Sequence, residues 1–191
     1  MPRPLRGGGG PLLALTATGA MFGGVAAYLY VKERRRVRDL ESECLALPRD
    51  RNYQSSYLQL VQFRGCVLNK DTVTSGTMKK VEELEVRPTD VFVASFPKSG
   101  TTWLQEVVYR LYMLEASKND RGELTQLVER SKDPMDSRFP YLEFPYPGLE
   151  DINCREGVRL IKTHLPVHLL PSEVWKGKII YIYRNPKDVA V

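Results

Sequence analysis

The chain has 191 residues, 42% apolar and 27% charged, ordinary proportions for a soluble fold of one domain plus an appendage. Its formal charge of +5 is uneven: seven of the 28 basic residues and one of the 23 acids lie in residues 1–38, so the rest is nearly neutral and carries no basic face for nucleic acid. Cys44, Cys66 and Cys154 are widely spaced with no CxxC pair, which excludes a disulfide framework or a zinc site and leans toward a reducing compartment.

From the N-terminus, Pro11 to Val31 contains no charge. As a helix its 21 residues would span about 31 Å, close to a bilayer's hydrocarbon thickness. Tyr28 and Tyr30 sit at one end as interface aromatics, and Lys32 to Arg38 forms a basic stop. The expectation is a membrane anchor in residues 1–38, with the heavier positive charge placing the domain in the cytosol, at the endoplasmic reticulum or the mitochondrial outer membrane. A cleaved presequence, leaving a cytoplasmic protein, is the rival reading. Gly19 and Gly23 form a GxxxG pair that could bring two such helices together, or be merely small residues in an apolar helix.

Residues 39–84 are mixed in character and are expected to form a linker and N-terminal extension. Val37 to about Ala46 reads as a charged, helical extension of the anchor. The segment from Phe63 to Gly76 reads as partly extended around turn residues, and Thr77 to Leu84 as a short helix closed by Arg87-Pro88.

Residues 90–103, DVFVASFPKSGTTW, are the most informative stretch. The apolar run Val91 to Phe96 predicts a strand, broken at Pro97. Lys98, Ser99, Gly100, Thr101 and Thr102 follow, and a helical pattern then begins: Leu104, Val107, Val108 and Leu111 share one face, predicting a helix from Thr101 to about Ala116. A strand that breaks into a hydroxyl-rich turn and opens a helix builds an anion site. The first amides of the helix lack intrahelical partners, and its dipole favours negative charge there. Lys98 adds a full charge. The order is not G-x-x-x-x-G-K-[ST], so this is no Walker A loop.

Glu123 to Arg130 reads as a second helix. Arg138 to Gly148, with three prolines and four aromatics, reads as a loop. Arg159 to Thr163 is a short strand that delivers Lys162 and His164 to its carboxyl end, where ligands bind in open α/β sheets. A histidine near neutral pKa suits proton removal from an acceptor. His168 reads as structural or exposed. Lys178 to Tyr183 is an apolar run without alternation, expected to be a strand buried on both faces. Strands alternating with helices predict an α/β fold: a three-layer parallel sheet with a P-loop-like strand-turn-helix.

Three segments in this order, PKSGTTW, KTHLP and YRNPKDVAV, resemble the cytosolic sulfotransferase family over about residues 85–191. The resemblance implies a donor, 3′-phosphoadenosine 5′-phosphosulfate (PAPS), and transfer of its sulfuryl group to a hydroxyl or amine of a small apolar acceptor. It implies that Lys98, Ser99, Gly100, Thr101 and Thr102 hold the 5′-phosphosulfate and that Trp103 stacks near the adenine. Arg184 would grip the 3′-phosphate, Lys162 the transferring group, and His164 would be the base. Tyr141 and Phe144 match acceptor-pocket positions, or are ordinary packing aromatics. No metal is expected, because no acidic ligand cluster stands out.

The family pattern continues past Val191 with a serine, a glycine-rich phosphate-binding segment and a short dimer motif. The expectation is therefore a C-terminally truncated domain at 85–191, impaired in activity, with a homodimer allowed but lacking that segment. A non-catalytic, membrane-tethered protein derived from the same fold is the alternative. A Mg²⁺-dependent phosphotransferase is a third reading, but no acidic metal ligand stands at a strand end.

Overall fold

The computed structural model describes residues 28–36, 38–39, 44–46, 59–119 and 121–190. The chain divides into two compact units, residues 1–43 and 44–191. In the first, residues 28–36 are helical (α1) and solvent-exposed. The Arg34 guanidinium lies 5.4 Å from the Tyr30 ring centre, and its Nε donates to the Tyr30 hydroxyl at 3.0 Å. Among the described residues no helix is long and apolar enough to cross a membrane. Most of the stretch expected to do so, 11–27 of 11–31, lies outside the described residues, as do Gly19 and Gly23.

The second unit opens with an antiparallel meander of β1 (Cys44–Ala46), β2 (Leu60–Phe63) and β3 (Cys66–Asn69); the helical extension expected to reach about Ala46 is here a strand, held by pairing with β2. The β2–β3 hairpin turns on Arg64 and Gly65, at φ +46° and +80°. Two successive left-handed residues give the turn twist that matches paired strands. The Asn69 side chain then accepts from the Asp71 amide and caps α2 (Lys70–Thr74), which leads into α3 (Thr77–Glu82). Val61, Phe63, Val73, Met78 and Val81 from these elements share a core with Phe92, Leu142, Ile152 and Ile161.

The second sheet is parallel, in the order β5 (Leu160–Thr163), β4 (Val91–Ser95), β6 (Lys178–Ile182). β4 is central and buried along its whole length. That explains its unbroken apolar run, since both faces are covered. Phe92 points into the first core. Val91 and Val93 face a second core with Phe139, Leu160 and, from α4 (Thr101–Asn119), Val108 and Tyr109. The Tyr109 hydroxyl donates to the Leu127 carbonyl at 2.5 Å, joining α4 to α5 (Arg121–Arg130). Helices thus flank the sheet on both faces, the three-layer α/β arrangement expected.

One expectation fails at β6. The run KIIYIY was to be buried on both faces, yet β6 is an edge strand of half-buried and exposed residues, with Tyr181 62% exposed. Ile179 packs toward the first core and Ile180 toward the second, so the apolar run is used from both faces without full burial. On the far edge, the segment after α6 (Met135–Arg138) extends the sheet. Tyr141 bridges Lys162 in parallel; the Lys162 amide donates to the Pro140 carbonyl at 3.0 Å, and the Leu142 amide to the Lys162 carbonyl at 2.8 Å. This segment, expected to be a plain loop, is held as an extra sheet edge. It leads into α7 (Gly148–Cys154).

The amino ends of the strands are locked by a buried ion pair. Arg159 Nε donates to Asp90 Oδ1 at 2.7 Å and Nη2 to Oδ2 at 2.5 Å, with Nη2 also on the Glu85 carbonyl at 2.7 Å. The Arg87 amide fills Asp90 Oδ2 at 2.7 Å. Gly177 packs tightly beside it: a Cβ there would lie 3.0 Å from the Asp90 carbonyl and 3.1 Å from the Phe92 ring.

Candidate active site

The parallel strands end level with one another, Ala94 opposite Thr163 and Ser95 opposite Ile182. The three sequence segments singled out above all emerge from these carboxyl ends. After Ser95 the chain turns through Lys98 at φ +66° and Gly100 at φ +101°. A lysine in the left-handed region is an uncommon, strained placement of the kind found at functional turns. A Cβ on Gly100 would meet Ile182 Cδ1 at 3.4 Å, so the loop lies against the end of β6. The Leu104 amide donates to the Gly100 carbonyl at 3.1 Å as the first helical bond. By helix geometry the amides of 101–103 are left for an outside acceptor. Ser99 Oγ is buried and has no hydrogen-bond partner among the described residues. An orphan hydroxyl inside an amide-lined turn fits an anion's oxygens.

His164 stands just past β5 and reaches across to the end of β4. Its Nδ1 lies 2.8 Å from the Ser95 carbonyl and 3.2 Å from Ser95 Oγ, which in turn lies 2.5 Å from Thr101 Oγ1. The base candidate and the anion loop are therefore linked through one serine. A carbonyl can only accept, so Nδ1 carries the proton and Nε2 keeps its lone pair. Burial holds the imidazole's pKa below the usual 6.5, opposed by the Ser95 carbonyl and reinforced by the Lys162 charge. The shift favours the neutral ring, whose basic nitrogen is then Nε2.

An aromatic wall faces that nitrogen. The Tyr141 hydroxyl lies 3.4 Å from Nε2, and the Tyr141 ring stacks on Phe144 at 4.1 Å between centres. The Lys162 ammonium sits 3.9 Å from the centre of the Tyr141 ring. Burial, with help from Asp136 and Glu143, pushes the Tyr141 phenol up to about 12, so it stays protonated and can only donate to Nε2. Burial lowers the Lys162 pKa, while Asp136 and Glu143 pull it back up.

Tyr141, Phe144, Lys162 and His164 thus form one cluster, joined to Thr101 through Ser95. Lys98, Thr102, Trp103 and Arg184 are exposed at the same strand ends, Trp103 67% so, and make no side-chain hydrogen bond or ring contact among the described residues. Arg184 lies two residues past β6, beside α8 (Pro186–Val189), whose first turn is capped by Asn185. Two participants escaped the sequence reading. Ser95 was simply the last residue of a strand. Glu143 is a buried carboxylate whose Oε1 accepts the His164 amide at 2.7 Å. Its only sequence signal is an acid set between Leu142 and Phe144 in an apolar run.

Residues 88–191 match the family model described as "Sulfotransferase domain". Sulfotransferase 1 family member D1 of Rattus norvegicus is 41% identical over 118 residues, covering 59% of this chain and 37% of that protein. Sulfotransferase 4A1 of Homo sapiens is 42% identical over 118 residues, covering 61% and 38%. Among solved structures, an Arabidopsis thaliana protein assigned as a steroid sulphotransferase superposes with a TM-score of 0.51 at 26% identity, over 75% of this chain and 50% of its own. The chain spans well under half the length of these two curated relatives. With the family model covering more than half of its residues, the chain belongs to the sulfotransferase family.

Proposed function

We propose that the protein binds PAPS at the Lys98 loop and transfers its sulfuryl group to a hydroxyl or amine of a small apolar acceptor. The observation that carries this reading is the imidazole of His164: neutral, with Nδ1 tied to the Ser95 carbonyl and Nε2 turned toward an aromatic wall beside an anion loop. In this reading Ser99 Oγ, the amides of 101–103 and the hydroxyls of Thr101 and Thr102 take the 5′-phosphosulfate oxygens. Lys98 neutralises the leaving phosphate and Lys162 the equatorial sulfuryl oxygens. Arg184 meets the 3′-phosphate with its planar fork. Trp103 offers a face to the adenine, and Tyr141 and Phe144 line the acceptor pocket. His164 Nε2 removes the acceptor's proton as the acceptor oxygen or nitrogen bonds to sulfur and the bridging S–O bond breaks, the electron pair leaving with the phosphate. No step in this scheme calls on a metal.

We further propose that the catalytic division occupies residues 85–191, preceded by an extension at 39–84, and that it faces the cytosol. The sparse, widely spaced cysteines support that placement. An anchor at 11–31 stays a proposal carried by the uncharged stretch and its basic flank. The test is transfer of labelled sulfuryl from PAPS to a panel of phenols, alcohols and amines by the full chain, with His164→Ala as control. Transfer abolished by His164→Ala supports the reading. Transfer retained by that variant contradicts the assigned base. Binding of adenosine 3′,5′-bisphosphate without any transfer favours the non-catalytic alternative.

A further inference from the structure

Among the described residues Glu143 is the one buried carboxylate at the carboxyl ends of the strands, 5% exposed, and the scheme above gives it no task. Its Oε1 accepts the His164 amide at 2.7 Å, while Oε2 has no hydrogen-bond partner among the described residues. It sits between Leu142, whose amide is tied to the Lys162 carbonyl, and Phe144, which stacks on Tyr141. A carboxylate in this position clips the acceptor wall to the backbone of residue 164. β5 ends at Thr163, so the sheet ladder does not hold residue 164. Without the clip the His164 amide has no acceptor among the described residues, and residue 164 is held only through its buried neighbours Thr163 and Leu165, whose amide donates to the Thr163 hydroxyl at 3.1 Å.

We propose that Glu143 is a positioning residue for the base: by accepting the His164 amide it holds residue 164 where Nδ1 meets the Ser95 carbonyl and Nε2 faces the acceptor wall. The importance of that position rests on the function proposed above; the clip itself does not. The charged and titratable groups around the carboxylate are Lys162 on β5, His164 beyond it, Tyr141 on its own segment and Cys66 on β3; the Cys66 thiol is raised chiefly by burial and in small part by Glu143. Asp136 acts on Lys162 and Tyr141 from α6.

Heteronuclear NMR on the full 191-residue chain tests this directly. The protein has two histidines, so His168→Asn assigns the His164 signals. In the unsubstituted chain the His164 amide proton shift should follow the ionisation of the Glu143 carboxyl, and Glu143→Gln, which keeps an oxygen acceptor, should abolish that titration while keeping the Nδ1–H tautomer. Glu143→Ala should speed His164 amide exchange by about tenfold or more, and an Nε2–H population should appear. A His164 amide that ignores Glu143 ionisation would overturn the proposal. So would a folded Glu143→Ala chain with unchanged exchange and tautomer. If Glu143→Ala does not fold, the titration of the unsubstituted chain and of Glu143→Gln decides alone. No arm reads sulfuryl transfer, so failure of the proposed function produces neither result.

Discussion

The two ends of the parallel sheet are built on opposite principles. At the amino ends the charges are paired: Asp90 and Arg159 are buried against each other, and their hydrogen bonds are taken up by Arg87 and the Glu85 carbonyl. At the carboxyl ends the polar groups are left over. Ser99 Oγ and Glu143 Oε2 are buried without partners among the described residues, Lys98 is held at a left-handed φ, and burial shifts the pKa values of His164, Lys162, Tyr141 and Glu143. One end is arranged for stability. The other gathers unpartnered polar atoms and shifted pKa values, the pattern that the proposed function reads as a ligand site.

The contrast can be broken from either side, and the largest effect on folding belongs to the amino end. Asp90→Ala strands a buried guanidinium and should cost about 3–5 kcal/mol in urea unfolding. At the carboxyl end, His164→Ala should leave unfolding little changed while lowering sulfuryl transfer by about 10²–10⁴-fold in single-turnover assays. If Asp90→Ala were mild and His164→Ala strongly destabilising, the division of labour would be reversed.

Glu143 sharpens the contrast through pH. Burial raises its folded pKa from 4.5 to about 7, so the folded state binds the extra proton between those values. Its contribution is therefore present at low pH and lost as pH rises through that window, by up to about 3 kcal/mol in all. His164 works in the other direction: its folded pKa is lowered, so its contribution is lost as pH falls below 6.5. Chemical denaturation of Glu143→Gln against the unsubstituted chain from pH 4.5 to 7.5 isolates the first effect, and the difference should grow with pH. Gly177→Ala should cost about 1–3 kcal/mol, because the Asp90 carbonyl it meets is fixed by the strand ladder. Tyr141→Phe should do least. It keeps the stack on Phe144 and loses one long hydrogen bond, so thermal unfolding should move by no more than about 1 kcal/mol.

The strand, turn and helix around Lys98 were legible because they are local, following one another within residues 91–119. The alignment of Lys162 and His164 with it was legible because parallel strands send their carboxyl ends to one side. What could not be read were partnerships across long separations. Asp90 and Arg159 are 69 residues apart, as are Ser95 and His164, and neither pair has a local pattern. The β2–β3 hairpin was missed because Arg64-Gly65 lacks the usual asparagine or aspartate before glycine. β6 misled because an apolar run shows that side chains pack, not that the strand has neighbours on both edges.

The claim on which the account rests is that an anion at the Lys98 loop and the imidazole of His164 occupy one site. Titration of adenosine 3′,5′-bisphosphate into the labelled full chain, read at the amides of Ser99 and Thr101 and at the His164 ring, measures this. Concerted shifts at all three, lost together in Lys98→Ala, are the predicted result. Binding that moves the loop amides and leaves the His164 ring unchanged would contradict it.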